Sequence, residues 1–202
     1  MGISLQHFEQ MKARLKTPRR SAVASASPGF GKPAPWHGVI LGIDPSLRGT
    51  GFGVIRAGKA EPQMLACGTI TCPPHWEKSR CLAKILQTCR EVLKAHQPET
   101  CVVEGLFYAQ NLKTAIIMGE ARGAALAAVA ESGVDIYEIA PRKVKQAIVG
   151  HGGAQKLAVA KMVQRILRLA EPPGPDAADA LALALAHVHS QGRFGLNAPK
   201  KI

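Results

Sequence analysis

The chain has 202 residues, 47% of them hydrophobic, which is enough for one buried core. With 26 Lys and Arg against 14 Asp and Glu, a net charge of +12 and a pI near 9.8, its natural partners are polyanions, nucleic acid before an acidic membrane surface. The longest apolar stretch, Ala177 to Val188, is broken by Asp179 and is too short for the roughly eighteen residues of a membrane-spanning helix, so no membrane partner is expected.

Residues 1–36 carry Lys12, Arg14, Lys16, Arg19, Arg20 and Lys32 against the acid Glu9, and SAVASASPGFGKPAP is a Ser/Ala/Pro/Gly linker with nothing to bury. A basic, disordered extension is expected there. It lacks the apolar region of a secretory signal, and Gln6 breaks the myristoylation pattern. It reads as a basic arm on nucleic acid, an acid-poor organelle transit peptide, or an upstream extension with no role.

From Val39 the pattern becomes regular. VILGID, GFGVIRA and QMLACGTI predict three short strands in two consecutive hairpins. Leu82, Ile85, Leu86, Cys89 and Leu93 recur at helical spacing and predict an amphipathic helix from about His75 to His96. TCVVE (100–104) is a continuous apolar strand ending on an acid, and Gln110 to Glu131 is Ala-rich and helical in period. VDIYEI (134–139) predicts another strand, and helices follow over Ala154–Leu169 and Pro175–Val188. Strands in hairpins, then alternating with helices, predict an α/β domain over residues 37–190, with a mixed sheet of about five strands covered by helices. Residues 191–202 form a basic tail. The five cysteines are odd in number and contain no CxxC pair, which argues against both a disulfide framework and a structural zinc site, and fits a reducing compartment such as the cytoplasm. The seven histidines are scattered and read as surface or core residues rather than ligands.

The acids are few, and their positions are informative. Asp44 closes the first predicted strand and Glu104 the fourth; Asp176 and Asp179 stand three apart in GPDAADALALALA, on one face of a helix start. Asp44 alone reads equally well as a turn aspartate capping its own backbone. Asp176 alone reads as a first-turn acid favoured by the helix dipole behind Pro175. Capping does not explain Asp179 inside an almost wholly apolar helix, nor two strand-end acids. Four carboxylates facing one another repel unless a cation sits among them. An all-oxygen set without His or Cys suits Mg²⁺ or Mn²⁺, and two such ions about 4 Å apart are the usual clamp for phosphodiester cleavage. With the basic surface, a metal-dependent nuclease is the leading expectation.

The blocks LGIDPSLRGTGFGVI, VVEGLFYAQN, MGEARGAALA, APRKVKQAIVGHGGAQK and PDAADALALALAHVH, in this order from about Val39 to His189, resemble the RuvC family of Holliday junction resolvases. The resemblance implies an RNase H-like fold, a homodimer, and Mg²⁺-dependent cleavage of four-way DNA junctions in recombination and repair, with Asp44, Glu104, Asp176 and Asp179 as catalytic metal ligands. It further implies two ions per active site and a junction branch-migration motor as a partner. One departure is visible: where these proteins commonly have glycine after Asp-Pro, this chain has Ser46, so either the turn is ordinary or the site geometry is altered.

Arg142, Lys143 and Lys145 follow Pro141, and Lys156 follows the loop GHGGA, which could present N–H groups to phosphate or could be a flexible connection. The resemblance aligns Lys145 and Lys156 with lysines near the scissile phosphate. Phe107 and Tyr108 lie in a loop after Glu104; they either cover the sheet edge or, as the resemblance implies for Phe107, stack on bases. Gly119 and Gly123 flank Glu120 and Arg122 in IIMGEARGAALAA; small residues here admit a close helix, from the chain's own sheet or, as the resemblance favours, from a second subunit. Three other readings remain: an RNase H-like nuclease for another nucleic acid such as ribosomal RNA precursor, a junction-binding module without catalysis, and an actin-like ATPase whose phosphate hairpin GIDPSLRGTG resembles.

Overall fold

A computed structural model describes residues 37–58, 61–105, 111–191 and 199–202. The elements are β1 (Gly38–Asp44), β2 (Gly49–Ala57), β3 (Gln63–Thr71), α1 (Lys78–His96), β4 (Thr100–Glu104), α2 (Leu112–Glu131), β5 (Asp135–Ile139), α3 (Pro141–Val149), α4 (Lys156–Ile166), α5 (Pro175–Gln191) and β6 (Lys200–Lys201). They form one mixed sheet in the order β3-β2-β1-β4-β5-β6. The expected hairpins pair β1 with β2 and β2 with β3 antiparallel, while β1, β4 and β5 run parallel.

Two elements depart from the sequence reading. The sheet has six strands among the described residues: Lys200 and Lys201, read as tail, pair antiparallel with Glu138 and Tyr137 of β5. Two lysines carry no strand signal; the open edge of β5 supplies the pairing, helped by an ion pair of 2.7 Å between Lys201 and Asp135. The second departure is α3, a nine-residue helix that the sequence reading does not include and that carries Arg142, Lys143 and Lys145. Pro141 opens it and Gly150, at φ 95°, closes it.

The alternation of each strand sorts the core into two layers. Ile40, Ile55, Val102 and Ile139 face α3, α4 and α5, and Leu41, Ile43, Val54, Cys101, Val103 and Ile136 face α1 and α2. Helix α5 is apolar nearly all round, as a helix buried on a sheet must be. It lies against β1 and β2 over a glycine seat: a Cβ at Gly42 would overlap the Ala180 carbonyl oxygen, one at Gly51 the Asp176 carbonyl oxygen, and one at Gly53 would come within 2.8 Å of Leu181. The five cysteines, expected unpaired, are all free. No helix among the described residues is long and apolar enough to cross a membrane.

Candidate metal and nucleic-acid site

The period of two fixes where the strand-end acids point. Asp44 shares parity with Ile40, and Glu104 with Val102, so both carboxylates face the α5 layer. Their strands are neighbours, and the parallel register Ile43↔Val103 brings the two strand ends side by side. Asp176 and Asp179 come from the first turns of α5, on that same face; the Asp176 carboxylate lies over Gly49. All four are half-buried.

Their mutual field is visible in their proton affinities. Asp44 is pushed up to about 7, first by burial, then by the negative charges of Glu104, Asp179 and Asp176, with Lys156 opposing. Glu104 is raised as well, by burial and then by Asp179, with Lys156 and Lys145 pulling the other way. Lys156 binds Asp179 directly, Nζ to Oδ2 at 2.8 Å, and this bond holds its own proton more tightly than usual. The structure thus brings together Asp44, Glu104, Asp176, Asp179, Lys156 and Lys145. Arg142 and Lys143 are exposed on the first turn of α3, and Phe107 and Tyr108 lie outside the described residues.

Among the described residues no three such groups converge tightly enough to form a finished metal cage. The donor chemistry still fits a hard divalent cation: four carboxylates share a half-buried corner in which the Lys156 ammonium already occupies a cation position. Imidazole and thiolate are not among its donors, which disfavours zinc.

The turn after Asp44 needs no glycine at Ser46. Left-handed φ among the described non-glycine residues occurs at Gln97 and Arg168, not here. Thr50, fully buried, ties the turn instead: its hydroxyl donates to the Ser46 carbonyl at 2.6 Å and accepts the Ser46 N–H at 3.1 Å. Sequence reasoning missed this threonine; it named Lys156 at the start of α4 but not its partner. A lysine at the first helical position opposes the helix dipole, so Lys156 needs an acid to justify it, and Asp179 is that acid.

Comparison with known proteins identifies the family. Residues 40–187 match the family model for crossover junction endodeoxyribonuclease RuvC. The crossover junction endodeoxyribonuclease RuvC of Bordetella avium is 44% identical over 151 residues, 75% of this chain and 83% of that protein. Among solved structures, T. thermophilus RuvC in complex with Holliday junction substrate superposes with a TM-score of 0.75 at 36% identity, covering 82% of this chain and all of the other. The yeast mitochondrial Holliday junction resolvase Ydc2, at 10% identity and a TM-score of 0.54, shares the fold. A half-buried carboxylate corner assembled from β1, β4 and α5, in a chain with these relatives, has one classification: the chain belongs to the RuvC family of crossover junction endodeoxyribonucleases.

Proposed function

We propose that this chain cleaves four-way DNA junctions by paired, symmetric nicks, with Asp44, Glu104, Asp176 and Asp179 holding divalent cations. The observation that carries the reading is that four carboxylates from three elements share one half-buried corner, where Glu104, Asp179 and Asp176 raise the proton affinity of Asp44 and Asp179 is bonded to Lys156. Mg²⁺ suits the donors, two ions per site with Mn²⁺ able to substitute; bound there, they would lower the pKa of a water and neutralise charge at the leaving oxygen.

The chain's own residues do the rest. Hydrolysis forms a P–O bond to water as the P–O bond to the departing strand breaks, so negative charge grows on the phosphate oxygens and the leaving oxygen. Lys156, 72% exposed at its side chain yet bonded to Asp179, stands at the rim of the corner where a phosphate would enter. Its ammonium, shared with Asp179 or released from it, would offset that charge. Lys145, felt by Glu104, adds a second positive charge, while the exposed Arg142 and Lys143 on α3 extend the basic approach for flanking phosphates. By the resemblance, Phe107 is assigned base stacking at the junction centre.

A symmetric junction needs two sites related by a two-fold axis, and hence two copies of the chain. One face of α2 suits this. Leu112 is 76% and Ile116 52% exposed, and a Cβ at Gly119 or Gly123 would meet nothing within 4 Å. This face turns away from the sheet, so of the two homes for these small residues the second subunit is the one assigned.

The test uses a synthetic four-way junction and a linear duplex of the same arms, each with and without a chelator. Selective, chelator-sensitive nicking at symmetric positions supports the reading. Equal cutting of both substrates, or cutting that survives chelation, overturns it.

A further inference from the structure

Arg122 is buried on α2, on the face of the sheet opposite the carboxylates, with 9% of its side chain exposed. A guanidinium taken out of water is costly unless its donors are satisfied. Here Nη1 donates to the Glu104 carbonyl oxygen at 2.6 Å and Nη2 to Glu138 Oε2 at 2.6 Å. Glu138 has the parity of Ile136 and so faces α2, whereas the side chain of Glu104 faces α5. The two ends of one residue are therefore addressed from opposite sides of the sheet.

The register shows why that matters. On the β1 side the pairing of β4 ends at Val103, and on the β5 side at Glu104 itself. The Gly105 N–H still reaches the Ile139 carbonyl at 2.9 Å, and a Cβ on Gly105 would press on the Glu138 carboxylate at 3.2 Å from its Cγ. Glu104 sits where the sheet stops holding its backbone, and Arg122 supplies a bond in the ladder's place.

We infer that Arg122 is a positioning residue: by anchoring the Glu104 carbonyl from behind the sheet, it fixes the direction in which the Glu104 carboxylate meets the metal site, and Glu138 orients the guanidinium that does so. The inference rests on the metal-site reading above. Partners of metal ligands of this kind are typically worth about 10- to 100-fold in metal affinity. The competing account is that Arg122 merely balances the charge of Glu138, a structural ion pair with no reach into the site.

The two accounts separate in a double variant. In Arg122→Met/Glu138→Gln the half-buried charge pair is gone, so no charge is left unpaired, but the bond to Glu104 is still missing. Mn²⁺ binding to the full chain would be followed by the electron paramagnetic resonance signal of free Mn²⁺, alongside thermal melting. The expected result is that Arg122→Met lowers the melting temperature and weakens Mn²⁺ about tenfold or more. The double variant recovers most of the melting temperature yet keeps the weakened Mn²⁺ binding, and Glu138→Gln alone, which leaves the Glu104 bond possible, weakens it less. Arg122→Lys, with fewer donors to share between the two partners, falls between wild type and Arg122→Met and serves where methionine does not fold. Mn²⁺ affinity within twofold of wild type in the double variant would overturn the inference, and recovery of affinity together with stability would assign Arg122 to charge balance. A wild-type chain that binds no Mn²⁺ would instead remove the metal reading itself, a separate and recognisable failure.

Discussion

The ammonium of Lys156 sits 2.8 Å from Asp179 Oδ2, so a cation on the first turn of α4 is bonded to an anion near the start of α5. In this pair a group proposed to act on the phosphate is parked on a group proposed to hold metal. Removing the lysine should affect the two roles in opposite ways. Lys156→Met is expected to lower single-turnover junction cleavage by about 10²–10³-fold, the range for losing one donor to developing charge. Mn²⁺ binding should be unchanged or tighter, because a competing positive charge has gone. Titration calorimetry beside single-turnover kinetics checks this; equal loss of both quantities would place Lys156 in the metal site's framework instead.

Asp44 gives a prediction with a definite sign. Its proton affinity is raised from 3.8 to about 7, so between these pH values the folded chain holds a proton that the unfolded chain has released. Stability therefore falls as pH rises through that window and stays lower above it. Asp44→Asn carries no such charge. In EDTA the variant should melt higher than wild type at pH 7.5, by on the order of 5 °C, with the two curves converging towards pH 4. Millimolar Mg²⁺ should raise the wild-type melting temperature and leave the variant nearly unmoved. Differential scanning fluorimetry across pH reads all of these; a wild-type chain that is already the more stable at pH 7.5 in EDTA contradicts the buried-charge account.

Gly119 and Gly123 allow the dimer assignment to be tested without touching the nuclease site. Since a Cβ at either position meets nothing within 4 Å, Gly119→Leu/Gly123→Leu should keep the melting temperature of the single chain. It should nevertheless lower the molar mass measured by light scattering from twofold to onefold, and convert paired nicks to single, uncoordinated ones. An unchanged mass would send the search for the partner surface elsewhere on the molecule.

Gly51 is the contrasting case. A methyl group there collides with the backbone of Asp176, and backbone cannot swing aside as a side chain can. Gly51→Ala is expected to cost about 1–3 kcal/mol in urea unfolding and to reduce cleavage more than junction binding, because α5 must lift and carry Asp176 and Asp179 with it. The same substitution at Gly123 should cost nothing or stabilise the helix slightly.

Much of this was readable from residue order. The three hairpin strands, β4, β5 and the long helices follow from periods of two and 3.6, and the acids stood out because capping could not account for Asp179 or for two strand-end carboxylates. The missed pieces share a cause: each depends on a partner distant in sequence. Helix α3 buries only Val144 and Ile148, one turn apart, too few to register as periodicity, although Pro141 and Gly150 bracket it. Strand β6 exists because β5 has an open edge. Arg122 looked like a charge beside a small-residue stripe; its role appears once α2 crosses the ends of β4 and β5. The glycines of GIDPSLRGTGFG had suggested a phosphate hairpin. They are occupied by α5, and no phosphate could share that seat.

The acid corner also draws on the chain from near its first strand to its last helix. Asp44 is in place once the first hairpin forms, Glu104 once β4 joins it, but Asp176 and Asp179 arrive with α5, which must dock on the glycine seat before the four meet. A chain growing on the ribosome, or one clipped ahead of residue 175, therefore carries at most half of the acids. On the proposed assignment such a chain lacks half of its metal ligands, so a polypeptide ending ahead of α5 is expected to be unable to cut DNA.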